Sequence, residues 1–303
     1  MGKKIVVLGS LNMDIVVSTK RYPNIGETIH GENINYLPGG KGANQAVAVS
    51  KLTGEAFMLG VLGNDVFGDQ IINSLSKKNL ITENIKRTSS YPTGIASIVH
   101  LPEDNSIIVI PGANQQCTPE YVEEVKEVII NADVLLMQLE IPIKTVEYAL
   151  SIAKQHQVAT ILNPAPATEL NTNVLNNIEY VTPNESELAS LLNREVKTDD
   201  QLRNAFLDWR QMYTSELIVT LGERGCAYWS DGELNIIPSR SLGSVVDTTG
   251  AGDSFNGALA YGIAENWSLE KTLNFAVTVS GLAVTRFGAQ DGMPLLEEVK
   301  QHM

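Results

Sequence analysis

Cysteine is scarce in this chain. Cys117 and Cys226 stand far apart and in no CxxC arrangement, which argues against a disulfide framework and a cysteine-based zinc site. The four histidines, His30, His100, His156 and His302, share no metal-ligand spacing either. No apolar run approaches the ~18 residues that cross a bilayer. The run Ile5-Val6-Val7-Leu8 behind the first four residues is too short for a secretory signal, so the cytoplasm is the expected compartment. Basic charge is also short: 22 Lys and Arg stand against 35 Asp and Glu, a formal net charge of −13. So acidic a chain repels phosphate backbones and anionic membranes at long range, and neither nucleic acid nor membrane is expected as a partner. A small anionic ligand is still admitted, because a few oriented backbone N–H groups make a local positive pocket. Two nucleotide-binding fingerprints are missing as well. There is no GxxxxGK[ST] loop, and no GxGxxG follows the first apolar run.

What is present reads as a globular α/β chain. The 303 residues are 43% hydrophobic and 19% charged, enough to bury a large core, and 1–303 read as a single domain. Apolar runs at 5–8, 57–62, 134–139, 159–162, 180–182 and 217–221 read as buried strands. The stretches 67–78, 119–131, 143–155, 185–192 and 199–213 suit helices between them. This alternation predicts a doubly wound, mostly parallel sheet flanked by helices. Residues 12–36 and 94–110 break the pattern, being strand-like without an intervening helix. They are expected to leave the main body as one small antiparallel β-sheet, a lid. Helices return at 252–265, at 269–284 and from 295.

The strongest chemical signal is Asp247-Thr248-Thr249-Gly250-Ala251-Gly252-Asp253-Ser254-Phe255-Asn256-Gly257. Its glycines allow a tight turn into a helix, so Gly250, Ala251 and Gly252 should present N–H groups at a helix N-terminus, where anions bind. An Asp in a first turn is by itself an ordinary helix-stabilising carboxylate. The second carboxylate, Asp247, and the surrounding glycines make the motif more specific than that. An N–H cradle beside a carboxylate suits phosphoryl transfer, with Asp253 accepting the proton of an attacking hydroxyl. A second glycine loop, Gly39-Gly40-Lys41-Gly42-Ala43-Asn44, opens into an alanine-rich helix. Asn12 and Asp14 follow the first apolar run, where parallel sheets bind ligands. As hydrogen-bond acceptors they suit the hydroxyls of a polyol better than a phosphate.

With these residues in view, the chain resembles the PfkB family of carbohydrate kinases. The likeness rests on segments 39–45 and 247–257 and on Gly9-Ser10-Leu11-Asn12-Met13-Asp14, Gln138-Leu139-Glu140 and Asn163-Pro164-Ala165-Pro166-Ala167. It extends to Thr182-Pro183-Asn184-Glu185-Ser186-Glu187, Thr220-Leu221-Gly222-Glu223-Arg224-Gly225 and Gly288-Ala289-Gln290. The resemblance implies transfer of the γ-phosphoryl of ATP to the 5-hydroxyl of D-ribose, with Asp253 as base and the Gly250, Ala251 and Gly252 amides around the moving phosphoryl. It assigns Asn12, Asp14, Gly39, Gly40, Lys41, Asn44 and Glu140, with Asp253, to the sugar. It assigns Asn184, Glu187, Thr220, Leu221, Gly222, Glu223, Arg224 and Gly225, with Gly252 and Asp253, to ATP. Asn184 and Glu187 would help to place Mg²⁺ through water.

The resemblance further implies a monovalent cation, K⁺, held by Asp247, Thr249, Ala283, Arg286 and Gly288, mainly through carbonyls. It also implies a homodimer in which β lids clasp each other. Two positions depart from the family pattern. Val277 stands where some members carry a histidine near adenine, and Gly292 where some carry a serine near the cation. Alternative substrates are 2-deoxyribose, fructose, 2-keto-3-deoxygluconate or a nucleoside, and the alternative class is a non-catalytic sugar sensor.

Overall fold

The computed structural model describes residues 2–53, 56–101 and 105–303. Its centre is a set of short apolar strands, among them Ile5–Leu8, Ala56–Leu59, Val134–Met137 and Ala159–Leu162, buried along almost their whole length. Strands of this kind need cover on both faces, the situation of a parallel sheet between helix layers. Nine strands form that sheet, in the order Glu233–Ile237, Cys226–Ser230, Glu216–Thr220, Tyr180–Val181, Ala159–Leu162, Val134–Met137, Ile5–Leu8, Ala56–Leu59, Leu80–Ile81. All neighbours from Glu216–Thr220 onward pair parallel. The hairpin Cys226–Ser230 and Glu233–Ile237 adds an antiparallel edge.

Two apolar cores lie on opposite faces. One gathers Val47, Leu259 and Leu273 from helices Lys41–Thr53, Ala251–Ala264 and Leu269–Ala283. The other gathers Tyr121, Val146, Phe206 and Trp209 from helices Pro119–Glu124, Ile143–Gln155 and Asp199–Met212. The first core brings two helix N-termini to the same place. Lys41–Thr53 and Ala251–Ala264 touch where Gly257 faces Ala48, so closely that a Cβ on Gly257 would come within 2.5 Å of the Ala48 methyl. Buried Cys117 and Cys226 are both free.

A separate sheet has the order Asn33–Gly39, Asn12–Ser18, Gly94–His100, Asn105–Ile110. The two excursions do pair, as expected, but the sheet is mixed, not antiparallel. Its outer pairs are antiparallel, whereas Asn12–Ser18 and Gly94–His100 run parallel. Asn12 is in register with Gly94, so both strands leave the body at one end and run the same way. Residues 102–104 of the expected 94–110 excursion lie outside the described residues.

Two other expectations are corrected. The run 57–62 breaks at Gly60, whose N–H donates to Tyr121 Oη and whose carbonyl accepts from Lys86. Val61–Gly63 then pairs with Lys86–Thr88 in a two-stranded sheet of its own. The helix at 119–131 is two helices, Pro119–Glu124 and Lys126–Ile130, interrupted at Val125.

Candidate active site

Four parallel strands of the sheet are each followed by a buried polar residue. Ser10, Gln138, Asn163 and Thr182 come just after Ile5–Leu8, Val134–Met137, Ala159–Leu162 and Tyr180–Val181, and all are at most 8% exposed. The carboxyl ends of the sheet thus form a polar floor beneath the two helix N-termini, the usual ligand position of an open α/β sheet.

Asp253 stands on that floor, in the first turn of Ala251–Ala264 and buried. Asn44 Nδ2 donates to its Oδ2 at 3.0 Å and Gln45 Nε2 to its Oδ1 at 3.1 Å. Burial pushes the Asp253 carboxyl above its ordinary pKa; Lys41, Asn44 and Gln45 pull it down and Glu140 adds to the rise. In the same turn, Ala251 N–H donates to the Thr248 carbonyl at 3.2 Å. Of the three expected amides, Ala251 is therefore partly committed within the protein. The N–H groups of Gly250, Gly252 and Asp253 have no acceptor among the described residues. Gly250 caps the helix with φ 79°, and a Cβ on Gly252 would meet nothing within 4 Å. An open cradle of N–H donors therefore adjoins a buried carboxylate.

Lys41 begins the facing helix. Burial works against its ammonium, but the carboxylates of Asp253, Glu140 and Glu187 outweigh that and raise its pKa. Glu140 Oε2 accepts from Ser10 Oγ at 2.5 Å and from Lys41 N–H at 3.1 Å. Asp14 comes from the small sheet, and its pKa is pushed up to about 7 by burial and by the charges of Glu140 and Asp253. Asn12 Oδ1 accepts from Asn114 Nδ2 at 2.7 Å, and Asn114 is itself fixed on the backbone of Leu11. One lone pair of the Asn12 oxygen is thereby engaged within the protein, which leaves its second lone pair and its NH₂ for other partners.

A cavity of about 150 Å³ opens from Asp253 between Lys41, Glu187, Asn184, Thr220 and Gly252. Asn184 and Glu187 form a capping box at the start of helix Glu185–Leu191. Asn184 Oδ1 accepts from Glu187 N–H at 2.8 Å, and Glu187 Oε2 accepts from Asn184 N–H at 2.9 Å. Burial raises the Glu187 carboxyl, the cap and Lys41 lower it, and Asp253 raises it further. Beyond Thr220, Leu221 is buried, and Gly222 and Glu223 form an exposed turn closed by Gly225. Arg224 pairs with Asp199 at 2.6 Å and Glu185 at 2.7 Å. Its guanidinium ties the turn to two helix N-termini.

Of the remaining expected residues, Asp247 Oδ1 accepts from Thr249 N–H and Oδ2 from Gly288 N–H, both at 2.9 Å. Burial works the other way, yet these donors hold the Asp247 carboxyl below its ordinary range. A Cβ on Gly292 would lie 2.8 Å from the Gly288 carbonyl oxygen, 3.0 Å from that of Ala283 and 3.1 Å from that of Arg286. Three of the expected carbonyls thus converge on one point, while the Arg286 side chain turns away to Glu298. Val277 is buried in the core. Gly39 lies against the Asp14 carboxylate, and the Gly40 carbonyl accepts from Asn44 N–H at 2.9 Å.

Sequence reasoning assigned no role to Gln45, Asn163, Thr182, Asn256 and Gln290, although all lie within or beside the quoted motifs. Thr182 Oγ1 donates to Asn256 Oδ1 at 2.6 Å, and Asn256 Nδ2 to the Gly252 carbonyl at 2.8 Å. Asn114 was legible in no motif.

The pfkB family carbohydrate kinase model matches residues 2–296. The chain is similar to a ribokinase of Lactococcus lactis, 40% identical over 298 residues that cover 98% of this chain and 96% of that protein. It is equally similar to a ribokinase of Bacillus subtilis, 40% identical over 299 residues and 99% of each chain. The structure of Arabidopsis thaliana ribokinase complexed with ribose and ATP superposes with a TM-score of 0.93 at 33% identity, covering 99% of this chain and 98% of that one. This chain belongs to the pfkB family of carbohydrate kinases.

Proposed function

We propose that the protein transfers the γ-phosphoryl group of ATP to the 5-hydroxyl of D-ribose, giving ribose 5-phosphate and ADP. One observation carries this reading: a buried carboxylate, Asp253, shares a helix turn with N–H groups that have no acceptor among the described residues. A hydroxyl bound between the floor and that turn loses its proton to Asp253 as it attacks, and the Gly250 and Gly252 amides meet the charge on the moving phosphoryl. Glu140, Asp14, the Asn12 amide and Lys41 surround the sugar side. The names of the relatives support a pentose.

ATP occupies the cavity towards Thr220 and the turn at 222–225. The carboxylate of Glu187 beside this cavity fits a hard cation held mainly by phosphates and water, the habit of Mg²⁺. When bound, Mg²⁺ neutralises the charge of the triphosphate. The converging carbonyls of Ala283, Arg286 and Gly288, with Asp247 nearby, are hard oxygen donors that fit a monovalent cation such as K⁺. The small sheet serves as lid and as the homodimer contact. A cytoplasmic setting suits a kinase fed by cellular ATP.

A coupled ADP-release assay with Mg²⁺ and K⁺, run on D-ribose, 2-deoxyribose, fructose and adenosine, tests the reading. Ribose should give the highest kcat/KM. Asp253→Asn should lower kcat by about 10²–10⁴-fold while ribose KM stays within a few-fold. Silence on every sugar would favour the sensor, and normal turnover by Asp253→Asn would remove it as base.

A further inference from the structure

Both oxygens of Asp253 face side-chain amides, and an amide is useful there only if it presents its NH₂ and not its carbonyl. The orientation of Asn44 and Gln45 is therefore a chemical matter, and each can be traced outward to a group whose polarity cannot be reversed. On one side, Asn44 Oδ1 accepts from Gln290 Nε2 at 3.0 Å. Gln290 Oε1 in turn accepts from Lys78 Nζ at 3.1 Å. An ammonium only donates, so Lys78 fixes Gln290, Gln290 fixes Asn44, and Asn44 must direct Nδ2 at Asp253.

On the other side, Gln45 Nε2 is shared between Asp253 and Asn163 Oδ1, the latter at 3.2 Å. Asn163 Nδ2 donates to the Thr182 backbone carbonyl at 3.1 Å, an acceptor that cannot turn into a donor. Gln138 Nε2 closes this arm on Gln45 Oε1 at 2.6 Å, although its own Oε1 is left buried against Gly9 without a partner among the described residues. Turning Gln138 to relieve that oxygen would set it against the Gln45 oxygen, or force Gln45 to aim its carbonyl at Asp253. The arrangement leaves the Gln138 oxygen an orphan acceptor and keeps the donor on the carboxylate.

We infer that Gln290, oriented by Lys78, and Asn163, oriented by the Thr182 carbonyl, are positioning residues that hold two N–H donors on Asp253 and so keep it ready as a base. Neither acts on the reacting atoms. The Lys78 arm is the more informative because it starts beyond the end of helix Val66–Lys77 and reaches the site only through Gln290 and Asn44. The inference rests on Asp253 as the base. The charged groups that also act on Asp253 are Lys41, Glu140, Asp14 and Glu187, and none of them is altered by the variants below.

Gln290→Glu keeps the shape but reverses the polarity. One carboxylate oxygen pairs with Lys78, and the other draws Asn44 Nδ2 towards itself, leaving Asn44 Oδ1 against Asp253. Lys78→Met, at a half-buried position, removes the anchor together with its bond to Ser74 Oγ and its ion pair with Asp291. In kcat measured against pH with saturating ribose, ATP and Mg²⁺, the acid limb of Gln290→Glu should move up by about one unit, because Asp253 loses a donor that favours its charged form and the added carboxylate opposes that charge as well. Its kcat at pH 7 should fall at least about 10-fold, with KM for ATP unchanged. Lys78→Met should shift the limb the same way by less. An acid limb that coincides with the unaltered enzyme in both variants overturns the inference, whatever happens to kcat. Should Gln290→Glu fail to fold, Lys78→Met decides, together with neutron diffraction of the unaltered protein, in which Asn44 Oδ1 facing Asp253 would equally overturn it. An inactive Asp253→Asn beside unmoved limbs sinks only this inference; an active Asp253→Asn sinks the base assignment as well.

Discussion

Gly39 leaves open the space that the Asp14 carboxylate fills: a Cβ at residue 39 would lie 2.2 Å from Asp14 Oδ2 and 2.6 Å from Oδ1. The two residues sit on adjacent antiparallel strands, where Asn12 is in register with Gly39 and Asp14 with Leu37. Gly39 is thus needed for close approach and not for a special backbone angle. Gly39→Ala should displace the Asp14 carboxylate while the strand persists. Ribose KM should rise about 10-fold or more, the loss of one charged hydrogen bond, with ATP KM nearly unchanged. Equal loss of both affinities would show that the substitution disturbs the whole site.

Asp14 also sets a pH dependence. Its folded pKa of about 7, raised by burial and then by Glu140 and Asp253, lies above the unfolded value of about 3.9. Between those values the folded chain binds the additional proton, so this group's contribution to stability falls as pH rises from about 4 to 7. Asp14→Asn removes the ionisation, and the variant should be more stable than the natural chain at pH 8 by upwards of about 1 kcal/mol, with little difference at pH 4. Ribose KM of the natural enzyme should fall as pH rises through 7, because hydroxyls donate to the carboxylate form; Asp14→Asn should lose that trend. Urea titrations and KM at pH 4, 6 and 8 measure both effects, and parallel pH curves for the two proteins would refute the assignment.

Apolar strands and the glycine turns were readable in sequence because burial on both faces and tight turning each restrict residue type. The apolar runs 5–8 and 134–139 read as covered strands, of which the second ends at Met137, and Asp247–Gly257 announced a helix N-terminus. Asp231-Gly232, which joins Cys226–Ser230 to Glu233–Ile237 with positive φ at both residues, is a hairpin signal legible in sequence. Other features were not local. Asn44 and Asp253 are 209 residues apart and Lys78 and Gln290 are 212 apart, and no spacing rule connects them. The parallel pairing of Asn12–Ser18 with Gly94–His100 depends on where the chain re-enters the body, which short-range pattern does not encode.

Gly292 makes a third prediction. The three carbonyls that surround its missing Cβ at 2.8–3.1 Å are backbone atoms and cannot rotate away. A serine here would therefore push the Ala283, Arg286 and Gly288 carbonyls apart before its hydroxyl could act as a ligand. Gly292→Ser should weaken activation by K⁺ by at least about 10-fold in the half-maximal concentration, with a lower Tm from overpacking. Tighter K⁺ activation would mean that the carbonyls part readily and that the serine ligates.

The edge strand Asn105–Ile110 makes the fourth. All six of its residues are exposed, with Ile107 at 57%, Ile108 at 65%, Val109 at 45% and Ile110 at 47%. Alternation places Ile107 and Val109 on one face of the sheet and Ile108 and Ile110 on the other, so residues 107–110 are apolar on both sides, and among the described residues no strand pairs with their outer edge. Such an edge invites further pairing unless something covers it. The proposed dimer would cover it with a second lid. Ile108→Lys adds a charge to the most exposed of the four. Sedimentation velocity should then show a monomer, against the dimer expected of the natural chain. Because the lid carries Asp14, ribose KM should rise with dissociation and fall again as protein concentration is increased. A variant that stays dimeric, with ribose KM independent of concentration, would move the interface away from this strand.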